Sequence, residues 1–500
     1  PFLTAHCGHA RRAGPMPRRM AVRCVGYIQR ARFVIRRAPP SHGGAVAVKA
    51  HLLEYWERLR SSFWFVPGIL AGAAVALASV TVALDESVTV SEWMAGQSWA
   101  YTGGAEGASL VLSTIAGSMI TIAGVVFSMT LVALSLASSQ LGPRLLRNFM
   151  RDTRNQVVLG AFIATFVYCL LVLRTIRRAE EVVFVPHLSV TIGVLLAILS
   201  LGVLIYFIHH VSVSIQADEV VARVHGELIH GIERLFPESM GHGVPRPADV
   251  LASAGLPAAF DLEARPVGSA DDGYLQSIDA HALMALAKDE NALFRLERRP
   301  GQYVVMGCPL VTVWPGDRVT EPLEERINSA FVLGHQRTAT QDIEFLIHQL
   351  VEIAVRALSP GINDPFTAIT CVDRLGSVLR RLAQREMPSP FRLDEQGRLR
   401  VVAPAVTFAG IVDASFGPIR QYARSSAVVT IRLLATIAVI AGATHRPTDR
   451  AALLRQAEMI VRGAREALPE DEDRQAVEEC YRDASRALSR TAVHRHAGVI

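Results

Sequence analysis

Four long apolar runs, separated by polar connectors, dominate the chain between residues 60 and 210. None of the four runs contains a charged residue. A helix of about 20 apolar residues crosses the hydrocarbon core of a bilayer, so each run is long enough to span a membrane. The pattern therefore predicts four transmembrane helices, at residues 63–84, 110–137, 157–173 and 188–208.

The second apolar run carries small and hydroxylated residues at steps of three and four. This spacing places them on one face of a helix, with larger apolar residues elsewhere. Such a face is typical of contact with another helix or with water, and we interpret it as either pore-lining or helix-packing. The members of this small-residue stripe are Thr114, Gly117, Thr121, Gly124 and Ser128.

The connectors differ in charge, which predicts the orientation of the spans. The connector at 140–156 is basic, whereas the connector at 85–109 is acidic and lacks Lys and Arg. Cytoplasmic loops are enriched in Lys and Arg, so both termini are predicted to be cytoplasmic. Three arginines at 174–178 run against this rule. We assign four basic residues to the cytoplasmic mouth of the second helix: Arg144, Arg147, Arg151 and Arg154.

Residues 1–50 hold ten Lys and Arg and no acidic residue. A basic arm that binds nucleic acid or anionic lipid is one interpretation. We favour a disordered leader, and we expect no nucleic-acid partner.

The composition indicates a membrane domain joined to a soluble domain. Half of the 500 residues are hydrophobic and 19% are charged, which is too apolar for an ordinary soluble protein and too charged for a pure membrane bundle. The six cysteines are scattered without metal-type spacing, so we interpret them as reduced or buried thiols. We expect no metal site and no cofactor.

The second half of the chain predicts a cytoplasmic α+β domain. Residues 216–262 are expected to form a helix and a linker. Short strands with Gly and Pro turns at 263–330 predict a small β-barrel or β-sandwich, and 331–500 is predicted to be helical. The apolar segment 427–443 contains Arg432, which would be costly within a bilayer, so we predict a buried helix there and not a fifth span.

The segment from Arg356 to Thr367 predicts a corner between two helices. Ser359-Pro360-Gly361 ends the first helix, and Asp364 is placed as the N-cap of the second, with Pro365 in its first turn. The alternative interpretation is a ligand or ion site. Its candidate residues are His348, Glu352, Arg356, Asn363 and Asp364.

The sequence contains no recognisable catalytic motif. It has no phosphate-binding Gly-rich loop ending in Lys-Ser or Lys-Thr, no HExxH and no GxSxG. We therefore predict that the protein is not an enzyme, and keep chemistry at His348, Glu352 and Asp364 as a weaker alternative.

Several segments resemble a bacterial family of predicted membrane proteins, domain of unknown function 2254. They include AGSMITIAGVVFSMTLVALSLASSQLGPRLLRNFMRD, RPGQYVVMGCPL and RALSPGINDPFTA. The similarity covers about residues 50 to 440 and beyond. It implies an inner-membrane protein with four spans and a cytoplasmic C-terminal part.

Two functions fit these patterns. In the first, the protein is a homo-oligomeric channel in which the second helix of each subunit lines the path for ions, and the arginines at its mouth favour anions. In the second, the protein is a non-conducting, membrane-anchored regulator or scaffold. The stripe would then pack against the other spans, and the cytoplasmic domain would bind a protein or a small ligand.

Overall fold

The computed structural model describes residues 64–87, 101, 103–142, 153–179, 182–214, 216–236 and 256–490. The basic leader, Arg144, Arg147, Arg151 and most of the predicted linker lie outside these residues. We call the four spans the bundle, and residues 216–490 the C-terminal part.

The bundle consists of four helices that are long and apolar enough to cross a membrane. The first coincides with its predicted span to within two residues at each end, and the other three extend their predicted spans by a few residues at both ends. The second helix has 37 residues, or roughly 55 Å, and so exceeds the ~30 Å hydrocarbon thickness. The helices are α1 (Phe65–Asp85), α2 (Ala105–Leu141), α3 (Thr153–Thr175) and α4 (His187–Ser214).

Helix α3 lies at the centre of the bundle and contacts the other three helices. A side chain at Gly160 would lie 2.6 Å from Leu70 Cδ1 and 3.0 Å from Pro67 Cα, so glycine permits the close approach of α1 and α3. A short hairpin of β1 (Arg177–Ala179) and β2 (Val182–Phe184) follows α3.

Eight further strands and three helices form the sheet-containing region of the C-terminal part. The strands make a five-stranded sheet, in the order β3-β7-β5-β10-β9, and a three-stranded sheet, in the order β6-β4-β8. The strands are β3 (Arg265–Gly268), β4 (Gly273–Ile278), β5 (Leu293–Leu296), β6 (Tyr303–Val304), β7 (Pro309–Trp314), β8 (Phe331–Gly334), β9 (Phe391–Leu393) and β10 (Leu399–Val402). The helices are α6 (Phe260–Glu263), α7 (Ala280–Asp289) and α8 (Glu321–Ser329).

The two sheets share one apolar core and do not close into a barrel within the described residues. Leu275 and Val304 contribute from the smaller sheet, and Phe294 and Val311 from the larger. A small barrel was one of the two predicted forms of this region. The structure instead has a mixed region of helices and two open sheets.

Strands β9 and β10 reach the larger sheet from a distant part of the sequence. Val401 of β10 pairs in parallel with Phe294 of β5, and β9 pairs antiparallel with β10. Sequence patterning predicted residues 331–500 to be helical. The hairpin was missed because its strands are short and its pairing partner lies about a hundred residues earlier.

The remaining helices pack around a second apolar core. They are α5 (Ala217–Leu235), α9 (Ile343–Ala357), α10 (Pro365–Ala383), α11 (Phe408–Tyr422), α12 (Ala427–Ala441), α13 (Pro447–Ala467) and α14 (Asp471–Ser489). Helix α5 leaves the bundle two residues after α4 and packs against α9 and α10. We call this end of the bundle the proximal end.

The apolar segment at 427–443 is a buried helix, as predicted. Helix α12 has 15 residues, which is shorter than a typical span, and Leu433, Leu434 and Ile437 are buried in the core. Arg432 lies on the other side of this helix and forms a two-point ion pair with Asp373 of α10.

Candidate functional site

The small-residue stripe of α2 is exposed at all five of its positions, Thr114, Gly117, Thr121, Gly124 and Ser128. At both glycines, no heavy atom lies within 4 Å of the point where a Cβ would be. Helix α2 contacts the other spans through its opposite face. That buried face consists of Ala108, Leu112, Ala116, Met119, Ala123 and Val126. The stripe therefore faces away from the bundle of its own chain.

Two stripe hydroxyls are satisfied within their own helix. Thr114 Oγ1 donates to the carbonyl of Leu110 at 2.7 Å, and Thr121 Oγ1 donates to the carbonyl of Gly117 at 2.8 Å. A hydroxyl that bonds its own helix leaves no unpaired donor in an apolar environment. These two hydroxyls are thus compatible with lipid, with a second protein surface or with water.

Of the four arginines assigned to the mouth of α2, only Arg154 lies among the described residues. It is exposed and is the second residue of α3, at the proximal end of the bundle. The structure therefore describes one of the four predicted basic positions and leaves the ring of arginines a prediction.

Helix α2 continues from the bundle into the C-terminal part. Ala137 is buried in the core formed by α5 and α9–α14, and Leu134 packs against that core. Arg356 Nη1 of α9 donates to the carbonyl of Ser139 at 3.2 Å. Arg356 Nε lies 3.6 Å from Glu352 Oε1. Arg356, paired with Glu352, therefore joins the end of α2 to α9.

Gly142 ends α2 at a place where only glycine fits. Its φ is +116°, a backbone conformation that residues with a side chain rarely adopt. A Cβ there would also lie 2.7 Å from Glu352 Oε1 and 3.3 Å from Arg356 Nε. The glycine thus lets the end of α2 approach α9 closely.

His348 lies one turn before Glu352 on α9 and contacts a different partner. Its Nδ1 is 3.2 Å from Nη1 of Arg337, and Arg337 forms two hydrogen bonds with Asp342, at 2.8 and 3.0 Å. A guanidinium can only donate, so His348 Nδ1 is the acceptor in this contact. Asp342 in turn caps α9 by accepting from the Phe345 N–H.

Asp364 caps α10, as the sequence predicted. Its carboxylate accepts from the N–H groups of Phe366 and Thr367 at 3.1 Å and from the Thr367 hydroxyl at 2.6 Å. The Thr367 hydroxyl is the main cause of a lowered Asp364 pKa, and the two N–H donors add to it. Asn363, with φ at +52°, makes the turn before the cap.

Replacing Asp364 with Ala is expected to destabilise the C-terminal part by about 1 kcal/mol, because N-cap donors lose their acceptor. Because the folded-state pKa of Asp364 is lowered, its ionic contribution is present above the unfolded pKa and is lost as pH falls through the folded pKa. Asp364→Asn keeps an acceptor and is the control. Thermal unfolding as a function of pH measures both effects. Equal stability of Asp364→Ala and wild type near pH 7 would contradict the assignment.

The structure gives the candidate residues of this region different partners. Glu352 and Arg356 hold the end of α2, His348 contacts Arg337, and Asp364 caps α10. Within the described ranges, no group of three or more His, Cys, Asp or Glu side chains is arranged to hold a metal ion. The four described cysteines, Cys169, Cys308, Cys371 and Cys480, are free thiols.

One polar contact of the bundle was missed by the sequence analysis. Asp85, the last residue of α1, is buried and accepts from the N–H groups of Leu188 and Ser189 at 2.9 Å each. It also accepts from the Ser189 hydroxyl at 2.6 Å. Asp85 of α1 thus caps the start of α4. This contact lies at the end of the bundle that is farther from the C-terminal part. The available signal was an acidic residue directly after an apolar run, followed by Glu86.

Comparison with known proteins places this architecture in a family. A family model described as Predicted membrane protein (DUF2254) matches residues 60–439. The chain belongs to this family. The DUF2254 match covers the bundle, both sheets and the helices as far as α12, so the resemblance found in the sequence is confirmed. Two relatives, an uncharacterized protein of Mycobacterium bovis and one of Mycobacterium tuberculosis, are each 33% identical over 432 residues. Each alignment covers 85% of this chain and 80% of the relative. No solved structure matches the chain.

Proposed function

We propose that this DUF2254 protein forms a homo-oligomer in the bacterial inner membrane, with both termini in the cytoplasm, and that α2 of each subunit lines a shared path for ions. The supporting observation is the exposed small-residue stripe, which faces away from the chain's own bundle over five positions. Small residues let helices approach closely, and hydroxyl groups tolerate water, so the stripe suits a subunit contact beside a narrow aqueous path.

The link between α2 and the C-terminal part gives the assembly a route for regulation. Helix α2 is unbroken from the stripe to Ser139, where Arg356 of α9 holds it. A displacement of α9 would therefore move the helix that carries the stripe. In this proposal, the C-terminal part acts as a cytoplasmic assembly and regulatory domain.

The proposed path favours anions at its cytoplasmic mouth. Arg154 is exposed at the proximal end, and the sequence adds Arg144, Arg147 and Arg151 to the same connector. A ring of arginines raises the local concentration of anions and repels cations. This preference depends on the predicted orientation of the second span.

A cysteine at Thr121 is expected to form disulfide-linked or reagent-linked dimers in membranes, because the stripes of neighbouring subunits would face one shared axis. The experiment uses the full chain in a background without native cysteines. Gel electrophoresis after mild oxidation measures the linked fraction, and chemical cross-linking of the unsubstituted protein gives the subunit count.

Leu199→Cys is the matched control, because Leu199 is 63% exposed and lies on α4, which carries no stripe. The proposal expects efficient linkage at residue 121 and little at residue 199. Equal and weak linkage at both positions, together with a monomer in detergent, would contradict the proposed assembly.

A second candidate function is a non-conducting, membrane-anchored regulator that binds a small ligand. The observation that favours it is a cleft of about 360 Å³ between the sheets and the helices, lined by Phe236, Met284, Ile343 and Arg392, among others. Burial lowers the pKa of Arg392, whose guanidinium donates to the carbonyls of Ser389 and Phe391. The volume lies within the range of ligand sites.

Native mass spectrometry of the purified protein tests this second function. A bound ligand would add mass to the folded protein and would be lost in Met284→Trp, which fills the cleft. If the unsubstituted protein has the same mass under native and denaturing conditions, as the variant is expected to have, no ligand is retained.

A further inference from the structure

Four exposed large hydrophobic side chains gather at one end of the helices α9–α14. Ile362, Phe366, Tyr422 and Val428 are 42%, 74%, 55% and 50% exposed. Across residues 343–489, all of which the structure describes, Val439 is the only other large hydrophobic side chain that is exposed. Such clustering marks a contact surface more strongly than single exposed hydrophobic residues do.

The path of the helices places this end beside the bundle. Helix α5 leaves the bundle at Ala217, and its far end lies against the start of α9, where a Cβ on Gly231 would be 3.1 Å from Ile343 Cδ1. Helix α9 then runs back toward the bundle. Arg356, in its last turn, reaches the carbonyl of Ser139 on α2. The turn that follows α9 is therefore at the proximal end.

Helix α10 runs away from the bundle again. Arg381, near its far end, lies 4.0 Å from Glu233 at the far end of α5. The cap of α10, Asp364, follows the end of α9 by only a few residues, so the start of α10 lies at the proximal end.

Tyr422 and Val428 reach the same end through the pairing of α12 with α10. Arg432 is paired with Asp373, and Thr436 lies against Gly376 one turn further on, so the two helices run in the same direction. Val428 lies one turn before Arg432, and Tyr422 ends the helix that precedes α12. We call Ser359–Phe366 together with Tyr422 and Val428 the proximal corner.

The exposed apolar surface of α2 continues down to this corner. Leu131, Val132 and Leu136 are exposed, and Leu136 is only three residues before Ser139. Glu352 lies beside Gly142 and Arg356 reaches Ser139, so α9 and α2 run antiparallel where they meet. The turn after Arg356 is therefore directed along α2 toward Leu136, which makes the exposed apolar surface of α2 and the proximal corner neighbours.

We infer that the proximal corner contacts the lipid bilayer, with Phe366 and Ile362 at the boundary between headgroups and acyl chains. Aromatic and aliphatic side chains on a tight turn or helix start are suited to this depth, and tyrosine is enriched at membrane interfaces. The inference requires only that the bundle spans a membrane. It concerns the exposed surface of α2 at Leu131, Val132 and Leu136, whereas the proposed path is lined by the stripe between Thr114 and Ser128.

The charges at this end of the helices are of both signs, so insertion of hydrophobic side chains is the main contribution to membrane contact. Arg424 is exposed between Tyr422 and Val428 and suits a lipid phosphate. Acidic residues at 470–473 lie at the start of α14 and at the same end, because a Cβ on Gly463, near the end of the preceding helix, would be 3.1 Å from Arg424 Cδ. The acidic residues thus offset the attraction of Arg424 to anionic lipid. We therefore expect the corner to contact zwitterionic lipid as well.

The test is a spin label at a single introduced cysteine in the full chain, reconstituted in phosphatidylcholine vesicles and in equimolar phosphatidylcholine–phosphatidylglycerol vesicles. Phe366→Cys and Ile362→Cys report on the corner. Val439→Cys is the matched control, because it is 53% exposed and lies near the far end of α12. Electron paramagnetic resonance measures the accessibility of each label to oxygen, which partitions into lipid, and to a water-soluble nickel chelate.

The expected result is an oxygen-to-nickel accessibility ratio several-fold higher at residues 366 and 362 than at residue 439, in both kinds of vesicle. A water-like ratio at all three positions would overturn the inference. Labels at 366 and 362 that reach neither reagent would also overturn it, since they would be covered by a second copy or another protein. All three native sites are exposed, so the substitutions do not disturb the core, and an unchanged unfolding temperature verifies this.

Discussion

Gly124→Leu is expected to abolish ion flux through reconstituted protein while leaving the fold intact. No heavy atom lies within 4 Å of a Cβ at this position, so the leucine has room within its own chain. In the proposed oligomer, the same leucine would project toward the shared path and close it or separate the subunits. Release of chloride from proteoliposomes, followed with a chloride-sensitive dye, measures the effect.

Gly72→Leu is the matched control for this substitution. Gly72 is also an exposed glycine within a span, and no heavy atom lies within 4 Å of its Cβ position. It lies on α1, away from the stripe, so its leucine would face lipid. Flux that survives in Gly72→Leu and is lost in Gly124→Leu supports the proposed path. Equal flux in both variants, or no flux from the unsubstituted protein under voltage or tension, would count against it.

The features predicted correctly from the sequence depend on neighbouring residues. The spans follow from long uncharged runs, and the α10 cap follows from Asp364 and Pro365, whose effects act within one turn. The short length of α12 and its Arg432 were enough to identify a buried helix. Each of these signals can be read from a few consecutive positions.

The features that the sequence could not predict depend on distant residues. The periodicity of α2 identified the stripe but not its direction, because direction depends on which face α3 and α4 cover. Pairing of β10 with β5 joins segments about a hundred residues apart. Arg356 was named as a candidate ligand-site residue, yet its partner Ser139 lies 217 residues away in the sequence. Periodicity carries no information about such partners.

The same limit explains why Asp85 was assigned only to an acidic connector. Its three hydrogen bonds go to residues more than a hundred positions later, at the start of α4. Because the first N–H groups of a helix have no partner within that helix, an acceptor from another span can replace a local cap. The carboxylate thereby ties the first span to the last.

Asp85→Ala is expected to destabilise the bundle by about 2–4 kcal/mol, the largest stability effect of any substitution considered for this protein. The change leaves two N–H donors of α4 without an acceptor, and each buried donor left unpaired costs about 1–3 kcal/mol. The negative charge near the N-terminus of α4 is lost as well. Unfolding in a titration from mild detergent into sodium dodecyl sulfate measures the difference.

Two neighbouring variants make this result interpretable. Glu86→Ala removes an exposed carboxylate one residue later and is expected to change stability by no more than about 0.5 kcal/mol. Asp85→Asn keeps one carbonyl acceptor and is expected to show a smaller loss than Asp85→Ala. If Asp85→Ala and Glu86→Ala unfold at the same detergent composition, the cap contributes little. The first and last spans would then be held together by apolar packing alone.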